Sequence, residues 1–319
     1  MKFNLKNHFK KLKPSPFKGK KENKVKVDSI KEKSISKKMI LATTSILISL
    51  ILILGITSYF ITKTQLVKST DELLFNKAKD SADLVDAQIK SYTLSIETLG
   101  NLDIISDPEI PMVDKFETLK QEKDRLKLSA IGLSDIQGNL LLDDGTVVDI
   151  YETEYFQKAI AGRPYFSEPI RNDKTGVVEI IIATVLKNKG AHVGVIVAHK
   201  AAEEFYEIAN NIEIGETGYA FILNDGADVI SHPTIISHGS NDGNDNTVNF
   251  SNFKDHVSDF ANEMDVMGEK IKEGEPGIGR YMEDGKITHL GFAPIKSKGW
   301  TLIVSVNESE ILAGLEGLK

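Results

Sequence analysis

The sequence contains no cysteine. Disulfide frameworks, thiolate zinc sites and cysteine nucleophiles are therefore excluded. An exported chain of this kind depends on its core and secondary structure alone, which fits a bacterial surface. Familiar catalytic signatures are missing too. There is no H-E-x-x-H zinc helix, no G-x-x-x-x-G-K-[ST] phosphate loop and no G-x-S-x-G elbow. The seven His are scattered. His232 and His238 lie six apart, which is not a metal-ligand spacing on a helix. Residues 240–246 (SNDGNDN) have a calcium-like composition but lack the D-x-[DN]-x-[DN]-G register and its distal Glu, so they read as a solvated loop. The sequence thus predicts no enzyme, no metal site and no cofactor.

Arginine is absent from residues 1–38, yet that stretch holds 14 Lys against Glu22, Asp28 and Glu32. The balance there is +11, so the other residues carry -18 of the net -7. A basic tail on an acidic body argues against nucleic acid as the body's partner, because nucleic-acid binders concentrate positive charge on the binding domain. Charge is also absent from residues 39–62 (MILATTSILISLILILGITSYFIT). As a helix this run spans about 35 Å, slightly more than the roughly 30 Å hydrocarbon core. It is too long for the apolar region of a cleaved signal peptide, and no A-x-A site follows it. Tyr59 and Phe60 stand where an aromatic interface anchor belongs. Lysine-rich flanks stay in the cytoplasm, so the expected topology is a single pass at the cell membrane. The N-terminus lies inside and the body outside. The tail reads as a disordered segment resting on anionic lipid.

Beyond the span, Leu74, Ala78, Ser81, Val85, Ile89, Tyr92, Ile96 and Leu99 recur at spacings of four or three. They predict one long helix whose stripe faces its own domain for most of its length. Strand and turn grammar follows. SAIGLSD and IQGNLLLDDG flank a turn at residues 135–138, and 154–161 reads as a short helix closed by Gly162. PYFSEP, VVEIIIATVLKN and AHVGVIVAHK read as strands, the middle one apolar enough to be central, and 201–210 as a short helix. A similar block recurs: a hairpin GYAFILNDGADVISHP turning at 224–226, a polar loop over 237–249, and an amphipathic helix over 253–272. A second hairpin, GIGRYMEDGKITHLGFAPI, then leads to GWTLIVSVNESEIL, a strand running into a helix. Each block predicts about five antiparallel strands with helices on one side.

These residues carry a resemblance. The long helix, YFQKAIAGRPYFSEP with TGVVEIIIATVL and GVIVA, then ETGYAFILNDGADVISHP and GWTLIVSVNESEIL resemble the sensor half of a bacterial methyl-accepting chemotaxis receptor with a double Cache domain. The likeness covers roughly residues 40 to 315. It implies an α+β fold: one transmembrane helix, a long N-terminal helix and two tandem PAS-like modules. The expected layout is 1–38 basic cytoplasmic tail, 39–62 transmembrane helix, 63–102 long extracellular helix, 103–210 membrane-distal module and 211–319 membrane-proximal module. The function implied is small-molecule sensing, with ligand in the distal module. The same sensor on a histidine kinase or diguanylate cyclase, or a stand-alone surface binding protein, is the alternative. The family continues into a second transmembrane helix and a cytoplasmic coiled coil. This sequence stops at Lys319, where that helix is expected, and so reads as a truncated receptor. Relatives act as parallel homodimers; lacking the coiled coil, the isolated domain is expected to be a monomer or a weak dimer.

Relatives that bind amino acids carry R-x-W-[YF] on the short helix, a Y-x-D element on a following strand and a later Asp. The matching stretches here are Thr153-Glu154-Tyr155-Phe156, Ile170-Arg171-Asn172 and His199. Both charge anchors for a zwitterion are thus missing or altered, and Arg171 or Arg163 could rescue a carboxylate contact only if the geometry shifted. The resemblance therefore implies a pocket of Tyr151, Thr153, Tyr155, Phe156, Tyr165, Asn172 and His199. The expected ligand is not a standard amino acid but a neutral or singly charged polar metabolite: a nucleobase, an amine or a small organic acid. The fallback location is the second module, around Tyr219, His232 and Tyr281.

Overall fold

The computed structural model describes residues 29–172, 175–212, 214–232, 261–283 and 285–316. The basic tail to residue 28, the 237–249 loop and the first turns of the 253–272 helix lie outside the described residues. The chain divides into two compact units, Met1–Phe60 and Ile61–Lys319.

In the first unit the described residues form only helix, the opening part of α1 (Ser29–Gly100). Ile46, Leu50, Ile53 and the other large apolar side chains of residues 35–60 are all more than half exposed. The most apolar window has a mean hydropathy of 2.6. Among the described residues, one helix is long and apolar enough to cross a membrane.

Among the described residues, the second unit holds two antiparallel sheets. The first has seven strands: β1 (Ala130–Ser134), β2 (Asn139–Leu142), β3 (Val147–Asp149), β4 (Tyr165–Phe166), β5 (Ile170–Arg171), β6 (Val178–Asn188) and β7 (Ala191–Ala201). Their order is β3-β2-β1-β7-β6-β4, with β5 also paired to β6. The second sheet has five: β8 (Tyr219–Leu223), β9 (Val229–Ser231), β10 (Gly277–Glu283), β11 (Lys286–Ile295) and β12 (Trp300–Asn307), in the order β10-β11-β12-β8-β9. The first sheet exceeds the expected five strands because β3 and β5 are only three and two residues long. Strands that short carry no readable alternation. Two helices, α2 (Asp103–Ser106) and α3 (Met112–Leu126), were likewise not expected from the pattern.

The rest of α1 holds the unit together. Leu74, Ala78, Val85, Ile89, Ile96 and Leu99 are 0–4% exposed and share one apolar core with alternate residues of both sheets. Such burial stabilises by about 1.5–3 kcal/mol per large aliphatic side chain. Polar clips fix the helix in place. Asp86 accepts from the Ser297 backbone N–H at 2.7 Å, closing the β11–β12 turn onto the helix. Lys200 Nζ donates to the Leu126 and Lys127 carbonyls (3.1 and 3.3 Å), which are orphan acceptors at the end of α3, and lies 4.8 Å over the Tyr92 ring. The two remaining short helices, α4 (Glu154–Ile160) and α5 (Glu203–Asn210), precede the second module, and α6 (Ala261–Glu273) and α7 (Glu308–Glu316) belong to it.

Candidate ligand-binding site

The two faces of the first sheet differ because strand side chains alternate. On β6, Ile180, Ile182 and Leu186 join the core shared with α1, whereas Ala183 joins a separate cluster with Phe156 and Ala159 of α4. β7 divides the same way, Ile196 and Ala198 against Val195 and Val197. By this alternation Glu179 and His199 extend the α4-side face toward β5. His199 pairs with Ile181 and Glu179 with Ala201, so Glu179 and His199 are diagonal neighbours.

Glu179 is the centre of the polar end of this face. Its Oε2 accepts from Asn172 Nδ2 at 2.9 Å and lies 3.1 Å from His199 Nδ1, and Ser129 adds a side-chain hydrogen bond. The Glu179 side chain is 9% exposed. Burial alone would raise its pKa, but the hydrogen bonds from Asn172, Ser129 and His199 outweigh burial and hold the carboxyl below the usual range. It is therefore an anion at neutral pH. A carboxylate has about four acceptor sites, so three donors leave capacity for one more.

The other expected residues gather around α4. Thr153 is its N-cap: Oγ1 donates to the Ile150 carbonyl (2.7 Å) and accepts from the Phe156 N–H (3.4 Å). Phe156 is 1% exposed and part of the α4 cluster. Tyr151 is 48% exposed, its ring centroid 5.8 Å from that of Phe156. Tyr155 packs half-buried on the same cluster as Ile181, and burial raises the pKa of its hydroxyl. Tyr165 donates to Glu154 Oε2 at 2.9 Å, and burial together with that carboxylate pushes its pKa up. The seven thus fall into two groups, Asn172 and His199 on Glu179, and the rest on or beside α4. Arg163 is exposed, and Arg171 lines a cavity described below. In the second module, Tyr219 and Tyr281 hydroxyls are 3.1 Å apart and the His232 ring lies 4.9 Å from Tyr219.

Sequence reasoning missed Glu179 and Ser129. The signal for Glu179 was present: it is the lone charge within VVEIIIATVL. Ser129 had none, since it precedes its strand and looks like a turn residue.

Comparison with known proteins identifies the family. The Cache domain profile matches residues 59–315. The methyl-accepting chemotaxis protein TlpB of Bacillus subtilis is 24% identical over 294 residues, covering 88% of this chain and 40% of that protein. The chain thus spans about two fifths of the length of the curated relatives it matches. Among solved structures, the ligand-binding domain of the Pseudomonas fluorescens chemoreceptor CtaA with L-isoleucine superposes with a TM-score of 0.62 at 19% identity, covering 80% of this chain and 99% of that one. The ligand-binding domain of the Pseudomonas aeruginosa amino acid chemoreceptor PctB with L-Arg gives 0.58 at 16% identity, over 75% and 96%. At these identities the structural likeness speaks for the fold. With four fifths of its residues matched by the family profile, this chain belongs to the Cache domain family.

Proposed function

We propose that this chain is the sensing part of a transmembrane chemotaxis receptor. Its N-terminus is cytoplasmic, and the two modules stand outside the cell. The ligand lies on the α4-side face of the first sheet, between Tyr155 and the Asn172–Glu179–His199 group. Family membership and the likeness to a chemotaxis receptor support the sensing role. The basic tail before the apolar span supports the orientation.

One observation selects the ligand class: Glu179 is a largely buried carboxylate with spare acceptor capacity. Of the three classes open from sequence, an amine answers it best. A primary or secondary ammonium group donates to Glu179, and the Tyr155 ring supplies a flat wall, with cation–π attraction if the ammonium sits over it. A free α-amino acid is disfavoured because no arginine is placed there for its carboxylate: Thr153 is a neutral cap, and Arg163 and Arg171 stand elsewhere.

The test is a thermal-shift screen of small primary and secondary amines on the full chain in detergent micelles. A ligand at 100 times its Kd stabilises by about 2.7 kcal/mol. Amines that stabilise wild type and not Glu179→Gln support the reading. Stabilisation of both proteins alike places the site elsewhere. Protease added to intact protoplasts checks the orientation: it should digest residues beyond 63, and full protection would reverse the topology.

A further inference from the structure

We propose a second ligand site in the cleft between the two modules, suited to a small zwitterion whose charges stand several bonds apart, such as an ω-amino acid or a dipeptide. It is independent of the Glu179 site. The cleft is a cavity of about 590 Å³, within the roughly 300–1,000 Å³ range of small-molecule pockets. One wall comes from the first module, through Tyr165, Glu168 and Arg171. The other comes from the second, through Asp225, Lys298 and Trp300. The modules touch at its rim, where Lys298 Nζ donates to the Phe166 carbonyl at 2.6 Å and Asn224 Nδ2 reaches Glu168 at 3.3 Å.

Charge decides the ligand class. Three carboxylates (Glu154, Glu168, Asp225) and three cations (Lys158, Arg171, Lys298) line the cleft, so the lining is neutral overall. Four of the six are already engaged: Glu154 with Lys158 at 2.6 Å, Glu168 with Asn224, and Lys298 with Phe166. Arg171 and Asp225 form no ion pair with any described residue, including each other. One is a bidentate anion donor and the other a cation acceptor, and they stand on opposite modules. Asp225 acts on Lys298 only at longer range, so a ligand with one charge leaves one of the two without a close partner among the described residues. A zwitterion satisfies both. Since the two stand on opposite walls of the cleft and are not in contact, a zwitterion with its charges several bonds apart can reach from one to the other. The Tyr165 and Trp300 rings, with Lys298 Nζ 5.4 and 5.1 Å over them, give the cleft a rigid aromatic side for the linking carbons. Such a ligand ties the modules together, coupling binding to their relative position.

The chain has a single tryptophan, Trp300, and it lines this cleft. Its fluorescence therefore reports this site separately from an amine bound at Glu179. The experiment titrates 5-aminopentanoate and glycylglycine into the full chain in detergent micelles, with pentanoate and pentylamine as single-charge controls. The expected result is a saturable change in Trp300 emission with at least one zwitterion, at least tenfold weaker with either control. Arg171→Met and Asp225→Asn, both at solvent-reached positions, should each weaken the response tenfold or more with an unchanged melting temperature. The proposal is overturned if neither zwitterion alters the emission, if the controls match the zwitterions, or if both variants respond as wild type does. The wild-type comparison of zwitterions with controls decides the matter even if a variant fails to fold.

Discussion

His289 Nδ1 lies 2.8 Å from Asp71 Oδ1, joining a strand of the second sheet to the long helix across 218 residues of sequence. The imidazole is 1% exposed, and its Nε2 is buried without a hydrogen-bond partner among the described residues. Nδ1 donates in this arrangement, so Asp71 supplies the only hydrogen-bond partner the ring has among the described residues. Replacing Asp71 by Ala leaves a buried donor unsatisfied, at a cost of about 1–3 kcal/mol. For a domain of this size that is roughly 2–4 °C of melting temperature per kcal/mol. Thermal unfolding of Asp71→Ala with unchanged Tm would show that the pair contributes nothing.

The same helix lies with its backbone directly against the sheet at Gly291. A Cβ placed there would stand 2.7 Å from the Phe75 backbone nitrogen and press on the Leu74 carbonyl group. Both neighbours are helix backbone, which cannot swing aside as a side-chain tip does. Gly291→Ala should therefore destabilise by about 1–3 kcal/mol or more through overpacking. Gly285, in a turn with open space around it, is the control for solvent-facing glycines, although its φ of +75° adds local strain of its own. A Gly291→Ala protein as stable as wild type would mean that helix and sheet are not packed at this distance.

These contacts show what the sequence could and could not reveal. The stripe from Leu74 to Leu99 was legible because helical spacing of apolar residues survives any tertiary context, and the core formed on that stripe. The long strands β6, β7, β11 and β12 were legible from length and apolar content. β3 and β5 were not, because pairing with a neighbour, rather than any pattern of their own, makes them strands. The site was partly legible. Asn172 and His199 drew notice by position, but the carboxylate they share was hidden in an apolar run. Thr153 drew notice for a pocket role, while its hydroxyl is occupied in capping α4.

That cap yields a separable prediction. Thr153→Ala should cost about 1 kcal/mol, within the 0.5–2 range for lost N-caps, and Thr153→Ser should restore most of it. Amine affinity should be unchanged in Thr153→Ser. If Thr153→Ser weakens the ligand tenfold while keeping stability, the side chain reads the ligand directly rather than fixing the helix.

Tyr155 and Glu179 carry the ligand reading, and they should fail differently. Tyr155→Ala removes a half-buried aromatic wall, and an anchor of that kind costs about 2 kcal/mol or more in binding at every pH. Glu179→Gln removes a charge-assisted hydrogen bond, worth about 1.5–3 kcal/mol, or tenfold and upward in Kd. Only the loss at Glu179 should depend on pH. The folded pKa of Glu179 is depressed, so its contribution is present above the ordinary carboxylate value and is lost as pH falls through the folded one. The Glu179 contribution to amine affinity should thus stay level from neutral pH down to about 4.3, the usual Glu value, and fall only below it. The ligand's own ammonium stays protonated throughout that window, so the fall belongs to the protein. In Glu179→Gln the residual affinity should be flat across the same range. Calorimetry between pH 7 and pH 4, with melting curves to confirm the fold at each pH, makes the comparison. A Glu179→Gln protein that keeps full affinity would remove Glu179 from the site and leave the aromatic cluster of Tyr219, His232 and Tyr281 as the next place to look.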